Sequence, residues 1–134
     1  MRILGYIWAG PNTILAVLVG LLLLSRFRLV DGVIEIHGPA VAWALKRTPV
    51  SALAMTLGHA IFGQDVAALD LTRKHEHVHV GQYARWGVLF VPAYLGWSAW
   101  LYMKGRDAYR DNPFEIEAYA VDDPSIRQLS VWRE

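Results

Sequence analysis

Two long apolar runs frame the chain, and a polar stretch of helical periodicity lies between them. Ile3 to Ser25 carries no charged residue, and Ile14 to Leu24 is almost wholly aliphatic. The run is about long enough to cross a bilayer, which takes roughly 20 apolar residues. Gly10-Pro11-Asn12 interrupts it. That predicts a kinked span or a shorter helix starting near Asn12 or Thr13. The chain divides on this basis into a hydrophobic helix over 1–25, read as a membrane anchor, and a domain over 26–134. A buried helix and a cleaved signal peptide are the competing readings of the first run. Its charged flank is thin, with only Arg2, and no clear small-residue cleavage site precedes Arg26.

Past Arg26 the period changes to two. Phe27 and Leu29 alternate with Arg28, and Ile34 and Ile36 alternate with Glu35 and His37. Asp31-Gly32 between them is a two-residue turn signal, so Phe27 to His37 predicts a β-hairpin ended by Gly38-Pro39. Ala40 to Arg47 reads as a short helix or a loop. Thr56 to Phe62, bounded by Gly58 and Gly63, reads as one further strand. His37 and His59 read as ordinary strand histidines.

Val66 to Trp86 is helical in pattern, with a break expected near Asp70. Leu71, His75, Val78, His79, Gln82 and Trp86 recur at spacings of three and four, as on one helix face. Asp70 or Thr72 is the expected cap and Gly87 the stop. Trp86 to Met103 is the second charge-free run, with Pro92 near its middle predicting a bent or broken helix. Lys104 to Asn112 reads as a loop. Asn112 and Pro113 suit the cap and first position of a last helix. The tail after Asp122-Asp123-Pro124 reads as a surface extension.

Composition sharpens this picture in three ways. The chain has 134 residues, 54% of them hydrophobic, and a mean hydropathy of +0.26, which suggests membrane contact. Its formal net charge is +1, with no basic or acidic run, so nothing points to nucleic acid. It contains no cysteine. Any metal must therefore be held by His, Asp or Glu.

The candidate chemistry lies in His75-Glu76-His77-Val78-His79, an H-E-x-x-H pattern. On a helix His75 and His79 stack one turn apart and can aim two imidazoles at one zinc ion. Glu76 then lies beside the metal as general base for a zinc-bound water. His77 points away from the pair. Gln82 and Tyr83, one turn beyond His79, either orient a ligand histidine or face the core. A catalytic zinc takes three protein ligands and an open position. The third candidate is Glu115, third residue of the last helix; its competing role is to complete a capping box with Asn112.

The chain resembles a zinc metallopeptidase of the gluzincin type, with H-E-x-x-H followed by a glutamate on a later helix. Glu115-Ile116-Glu117-Ala118 also resembles the E-x-x-A segment of membrane-associated zinc endopeptidases of the CAAX prenyl protease and HtpX kind. The resemblance covers about residues 70–87 and 112–121. It implies that Glu115 binds zinc. Those families continue with an aspartate where this chain has Tyr119, and that departure keeps Glu117 as the alternative ligand or outer-shell group, with Tyr119 itself. It also implies a small zincin-like α+β domain whose helices carry the ligands, and a sheet strand that pairs with extended peptide. Tyr109 or Tyr119 is the candidate oxyanion donor.

If His79 and Glu115 bind one ion, the apolar run between them cannot cross a membrane once. It must return, lie at the interface, or be buried in the domain. Arg73, Lys74 and Arg85 around the histidines argue against a site at membrane depth. The expected function is therefore zinc-dependent hydrolysis of a peptide or protein at the inner, cytoplasmic membrane. Arg26 and Arg28 after the first run place the catalytic part on the cytoplasmic side. The alternative is a non-catalytic metal-binding or structural membrane-associated protein.

Overall fold

The computed structural model describes residues 2–48 and 51–121, and the tail beginning Asp122-Asp123-Pro124 lies outside them. The architecture is α+β. Helix α1 (Arg2–Leu22) leads into strands β1 (Arg26–Val30) and β2 (Val33–His37). Helix α2 (Pro39–Lys46), strands β3 (Ala54–Leu57) and β4 (Ala60–Gly63) and helix α3 (Val66–Trp86) follow. A 3₁₀ turn at Gly87–Leu89 joins α3 to α4 (Phe90–Met103), and α5 (Pro113–Tyr119) comes last.

The first hairpin forms as the sequence predicts. Asp31 and Gly32 both take left-handed φ, 51° and 77°, as a two-residue turn of matching twist requires. Arg28 pairs with Glu35, and Phe27 with Ile36. The stretch expected as a single strand over Thr56 to Phe62 is instead a second hairpin. Gly58, at φ 65°, turns the chain, so that Leu57 pairs with Ala60 and Met55 with Phe62. Gly58 is therefore the turn itself rather than a boundary. Strand β4 then pairs in parallel with β2, giving the order β1-β2-β4-β3 with β3 at an open edge.

Alternation along β2 sends its side chains to two different layers. Ile36 packs with Ala16 of α1, Val41 and Leu45 of α2, and Phe62. Val33, on the other face, packs with Ile61, Leu69 and Val80. So α1 and α2 cover one face of the sheet and α3 covers the other, the layered solution expected of a sheet with two apolar faces.

Helix α1 runs unbroken through Pro11. An interior proline costs on the order of 3 kcal/mol. Packing on both sides of it offsets this: Ala9 sits with Tyr83, Phe90 and Phe114, and Ala16 with the sheet. Helix α3 is also a single helix rather than two pieces. Its cap is Asp65, whose side chain accepts from the Ala68 N–H at 2.7 Å. Asp70 is occupied instead by Arg73, at 2.6 Å.

The buried face of α3 differs from the expected one. Leu71 is 74% exposed and Trp86 is 43% exposed, while His75, Glu76, His79 and Gln82 are buried. The periodicity of the apolar residues misplaced the stripe because the buried face of this helix is largely polar. Pro92 falls in the first turn of α4, where no helical hydrogen bond is lost, so it neither bends nor breaks the helix. The 14 residues of α4 extend about 21 Å, short of a roughly 30 Å hydrocarbon core.

Candidate metal centre

Three elements bring the site together. Helix α3 carries His75 and His79 one turn apart, both turned inward. Helix α5 brings Glu115 to them. Asn112 sets that approach: its Oδ1 accepts from the Phe114 N–H at 3.0 Å, and its Nδ2 donates to the Tyr94 carbonyl and the Ser98 hydroxyl of α4 at 3.1 and 3.0 Å. The cap is thus satisfied by Asn112 itself. The Glu115 carboxylate turns into the interior rather than back along its own helix, and is 2% exposed.

Glu115 Oε1 lies 2.5 Å from His79 Nε2 and 3.5 Å from His75 Nε2. One ligand atom from each of the three residues lies within 4.8 Å of the others. Metal–ligand bonds of about 2.0–2.1 Å in a tetrahedron imply ligand pairs about 3.3 Å apart. The His75–Glu115 separation is close to that, and the His79–Glu115 pair is at hydrogen-bonding distance. Two imidazoles and a carboxylate are a donor set that suits zinc, so the residues present fit the ion.

The outer contacts fix how these groups present themselves. The Gln82 amide nitrogen donates to the Phe114 carbonyl at 3.0 Å, so its oxygen is the end facing His79 Nδ1, at 2.8 Å. In the neutral ring that oxygen holds the proton on Nδ1 and leaves Nε2 with its lone pair toward Glu115. Of the two roles open to Gln82, orienting a histidine is the one this geometry shows. Tyr83 does something else, donating to the Thr56 carbonyl at 3.2 Å. Tyr94 donates to Glu115 Oε2 at 3.3 Å. The edge of the Tyr119 ring meets His75 with centroids 4.4 Å apart, and the Tyr119 and Tyr109 hydroxyls lie 3.0 Å apart.

Charge follows this geometry. Burial alone raises the Glu115 carboxyl pKa, but hydrogen bonds from His75 and His79 outweigh it and hold the group down at about 2. Burial likewise lowers both histidines, and the Glu115 hydrogen bond outweighs that and raises them. Without an ion, the two histidines and the carboxylate thus each favour the charged form of the other. Burial pushes the Tyr94 and Tyr109 hydroxyls up, so both stay protonated donors.

Glu76 stands apart from this cluster but borders the same cavity. The cavity holds about 340 Å³ and is lined by Glu76, His79 and Glu115 with Thr56, Tyr83, Tyr94, Tyr109 and apolar side chains. Glu76 Oε2 accepts from the Thr56 hydroxyl at 2.6 Å. Thr56 belongs to edge strand β3, and all four β3 residues line the cavity.

Other expected residues lie elsewhere. Glu117 is about half exposed and is not among the converging ligands; it pairs with Arg85 at 2.6 Å and accepts from Gln82 Nε2 at 3.3 Å, one residue removed from His79. His77 is not among the converging ligands, and its Nε2 has no hydrogen-bond partner. His59 is buried under the Tyr6 ring, centroids 4.0 Å apart. Thr56 and Tyr94 are the site residues that sequence reasoning missed. Neither has a local signal, since each reaches the site only through tertiary packing.

Comparison of the chain with protein-family models, with curated proteins and with solved structures finds no match.

Proposed function

We propose that the protein is a small membrane-associated zinc peptidase. His75, His79 and Glu115 would hold the ion and Glu76 would act as general base. The observation that carries this reading is the arrival of Glu115, 36 residues beyond His79, at the Nε2 of the H-E-x-x-H pair beside an open cavity. When bound, zinc supplies Lewis acidity, polarising a carbonyl and lowering the pKa of a water to about 7.

The chain's own groups do the rest. Thr56 holds one oxygen of Glu76, which leaves the other to take a proton from the attacking water. The water oxygen bonds to the scissile carbonyl carbon, the C–N bond breaks, and Glu76 returns the proton to the leaving amine. Tyr94 and Tyr109 are neutral hydroxyls on the cavity wall, suited to donate to the developing oxyanion. Edge strand β3 runs along the cavity with no strand paired to its outer side, which suits a substrate bound as an added strand.

The competing reading is a non-catalytic, structural metal. Such sites are normally closed by four protein ligands. Three converge here among the described residues, and a cavity borders them, which favours the enzyme. Elemental analysis of the purified protein tests the ion: about one zinc per chain is expected, lost in His79→Ala. Glu76→Gln then tests the chemistry. It should keep the zinc and lower peptide hydrolysis by about 10²–10⁴-fold. Undiminished hydrolysis in Glu76→Gln overturns the mechanism.

A further inference from the structure

Helix α1 is long and apolar enough to cross a membrane, and only 22% of its apolar window is buried. Its two faces differ sharply. Gly5, Ala9, Ala16 and Gly20 are turned to the protein, while Leu4, Ile7, Leu15, Leu18 and Leu22 are each at least half exposed. Three polar side chains of α1 are hydrogen-bonded to the domain. The Tyr6 hydroxyl donates to the Gly32 carbonyl at 2.7 Å, Asn12 Nδ2 to the Gly87 carbonyl at 3.3 Å, and the Thr13 hydroxyl accepts from the His59 N–H at 2.9 Å.

The attachment is also close and continuous. A Cβ on Gly5 would meet Ala84 at 3.0 Å, one on Gly87 (φ 57°) would strike the Trp8 ring, and one on Gly20 would strike Phe27. Between Gly5 and Gly20 the domain follows the helix for about 22 Å of its axis. No free length remains that could cross a core of roughly 30 Å.

We propose that α1 lies flat in one leaflet, its outer aliphatic face toward lipid hydrocarbon and its inner face clamped to the domain, and that it does not span. A spanning α1 would carry the domain into the hydrocarbon with it. Midway along α1, Thr13 accepts from the His59 N–H and packs on Gly58, so a spanning helix would carry this turn and the open edge of β3 to mid-membrane depth. Lipid-exposed open sheet edges do not occur within the hydrocarbon. With α1 flat, the sheet and α3, which both pack on its inner face, lie on the side away from lipid, and that edge stays out of the hydrocarbon. The apolar face then sinks about 5–10 Å, as interfacial helices do. Gly5, Ala9, Ala16 and Gly20, which would admit a second helix, are used against the domain, and the outer face is lined by bulky aliphatic side chains, so lipid rather than another copy of the chain fits it. This placement rests on the membrane-associated reading and specifies its geometry.

The absence of cysteine makes the test direct. Leu4→Cys, Leu15→Cys and Leu22→Cys place single nitroxide labels along one stripe of the outer face, with folding checked by circular dichroism. The full chain is bound to phosphatidylethanolamine–phosphatidylglycerol vesicles, and label depth is read from oxygen and nickel-chelate collision rates. A flat helix puts all three labels at one shallow depth, within about 3 Å of each other. If the Leu15 label lies deeper than both others by on the order of 10 Å, the helix spans and the proposal fails, although membrane association stands. If the protein does not float with the vesicles and all labels remain water-accessible, the membrane reading fails with it.

Discussion

Two of the buried glutamates reach α3 from other elements, and they have different partners. Glu35 of β2 is fully buried and bonded to Arg28 at 2.8 Å and to Arg73 at 2.8 and 3.0 Å. Glu115 of α5 is buried against His75 and His79. Arginine keeps its proton at any working pH and cannot ligate a metal. Histidine can lose its proton and present a lone pair. The first cluster therefore fastens the sheet to α3 and does little else. The second can exchange its protons for a cation, and it alone of the two borders the cavity. One residue type in the partner position separates a fastening from a set of groups able to hold a cation.

The largest effects should pull the two clusters apart. Glu35→Ala leaves two guanidinium groups facing a buried gap. Removing one partner of a buried pair costs about 3–5 kcal/mol, and because Arg28 and Arg73 are partly exposed (41% and 26%) the low end, about 3 kcal/mol, is expected. Urea unfolding measures it, and zinc content should not change. Glu115→Ala should do the reverse. Zinc is lost, while the metal-free protein loses less stability because its histidines can turn neutral. If Glu35→Ala costs nothing, or Glu115→Ala keeps its zinc, the division of roles is wrong.

The next contrast is in pH. Burial raises the Glu35 carboxyl pKa, but the hydrogen bonds and charges of Arg73 and Arg28 outweigh it and hold it below the usual carboxylate value. Its stabilisation is therefore complete above the unfolded carboxylate pKa and is lost as pH falls through the depressed folded value. The histidine cluster has the opposite sign. His75 and His79 are raised, so the metal-free ion pair is fully stabilising below about pH 6.5 and weakens as pH rises through the folded values. Zinc must displace those protons, so its affinity should climb over the same rise in pH. Thermal denaturation and zinc titration across pH 4–9 (about the span of both events) should give crossing trends. Zinc affinity that does not change with pH would mean that the histidines are not ligands.

These two clusters were unequally legible in the sequence. His75 and His79 share one helical stretch, and Asn112-Pro113 marks the start of another, so local rules alone brought Glu115 into consideration. The Asp31-Gly32 hairpin was legible for the same reason. The Glu35 cluster was not, because Arg73 meets Glu35 only once α3 lies on the sheet, 38 residues away. Leu71 misled in the opposite direction. Apolar periodicity marks the buried face of a helix only when that face is apolar, and here the site occupies it. Gly58 was noticed, but no local rule separates a glycine that ends a strand from one that turns a hairpin.

Smaller effects sharpen the view of the histidine cluster. Gln82→Leu removes the acceptor that fixes the His79 Nδ1 proton, at 2.8 Å. Outer-shell changes of this kind typically cost 10–100-fold in metal affinity, which competition with a zinc chelator would read. Loss near that size supports the tautomer assignment. No loss would mean that packing alone holds the His79 ring.

Tyr94→Phe should have the least effect on metal. Its hydroxyl reaches Glu115 Oε2 over a long 3.3 Å, and phenylalanine fills nearly the same space. Zinc affinity should fall by less than about tenfold, the low end for an outer-shell contact. The hydroxyl also faces the cavity and stays protonated, because burial and the neighbouring Glu115 charge raise its pKa. Two roles are therefore separable with one variant. If Tyr94 only steadies Glu115, hydrolysis at saturating zinc is unchanged. If it also donates to the reacting carbonyl, the turnover rate at saturating zinc falls by about 10²–10³, the usual loss for one oxyanion donor. A Tyr109→Phe variant measured alongside shows which hydroxyl serves, since Tyr109 touches Tyr119 rather than Glu115 and should leave zinc affinity unchanged.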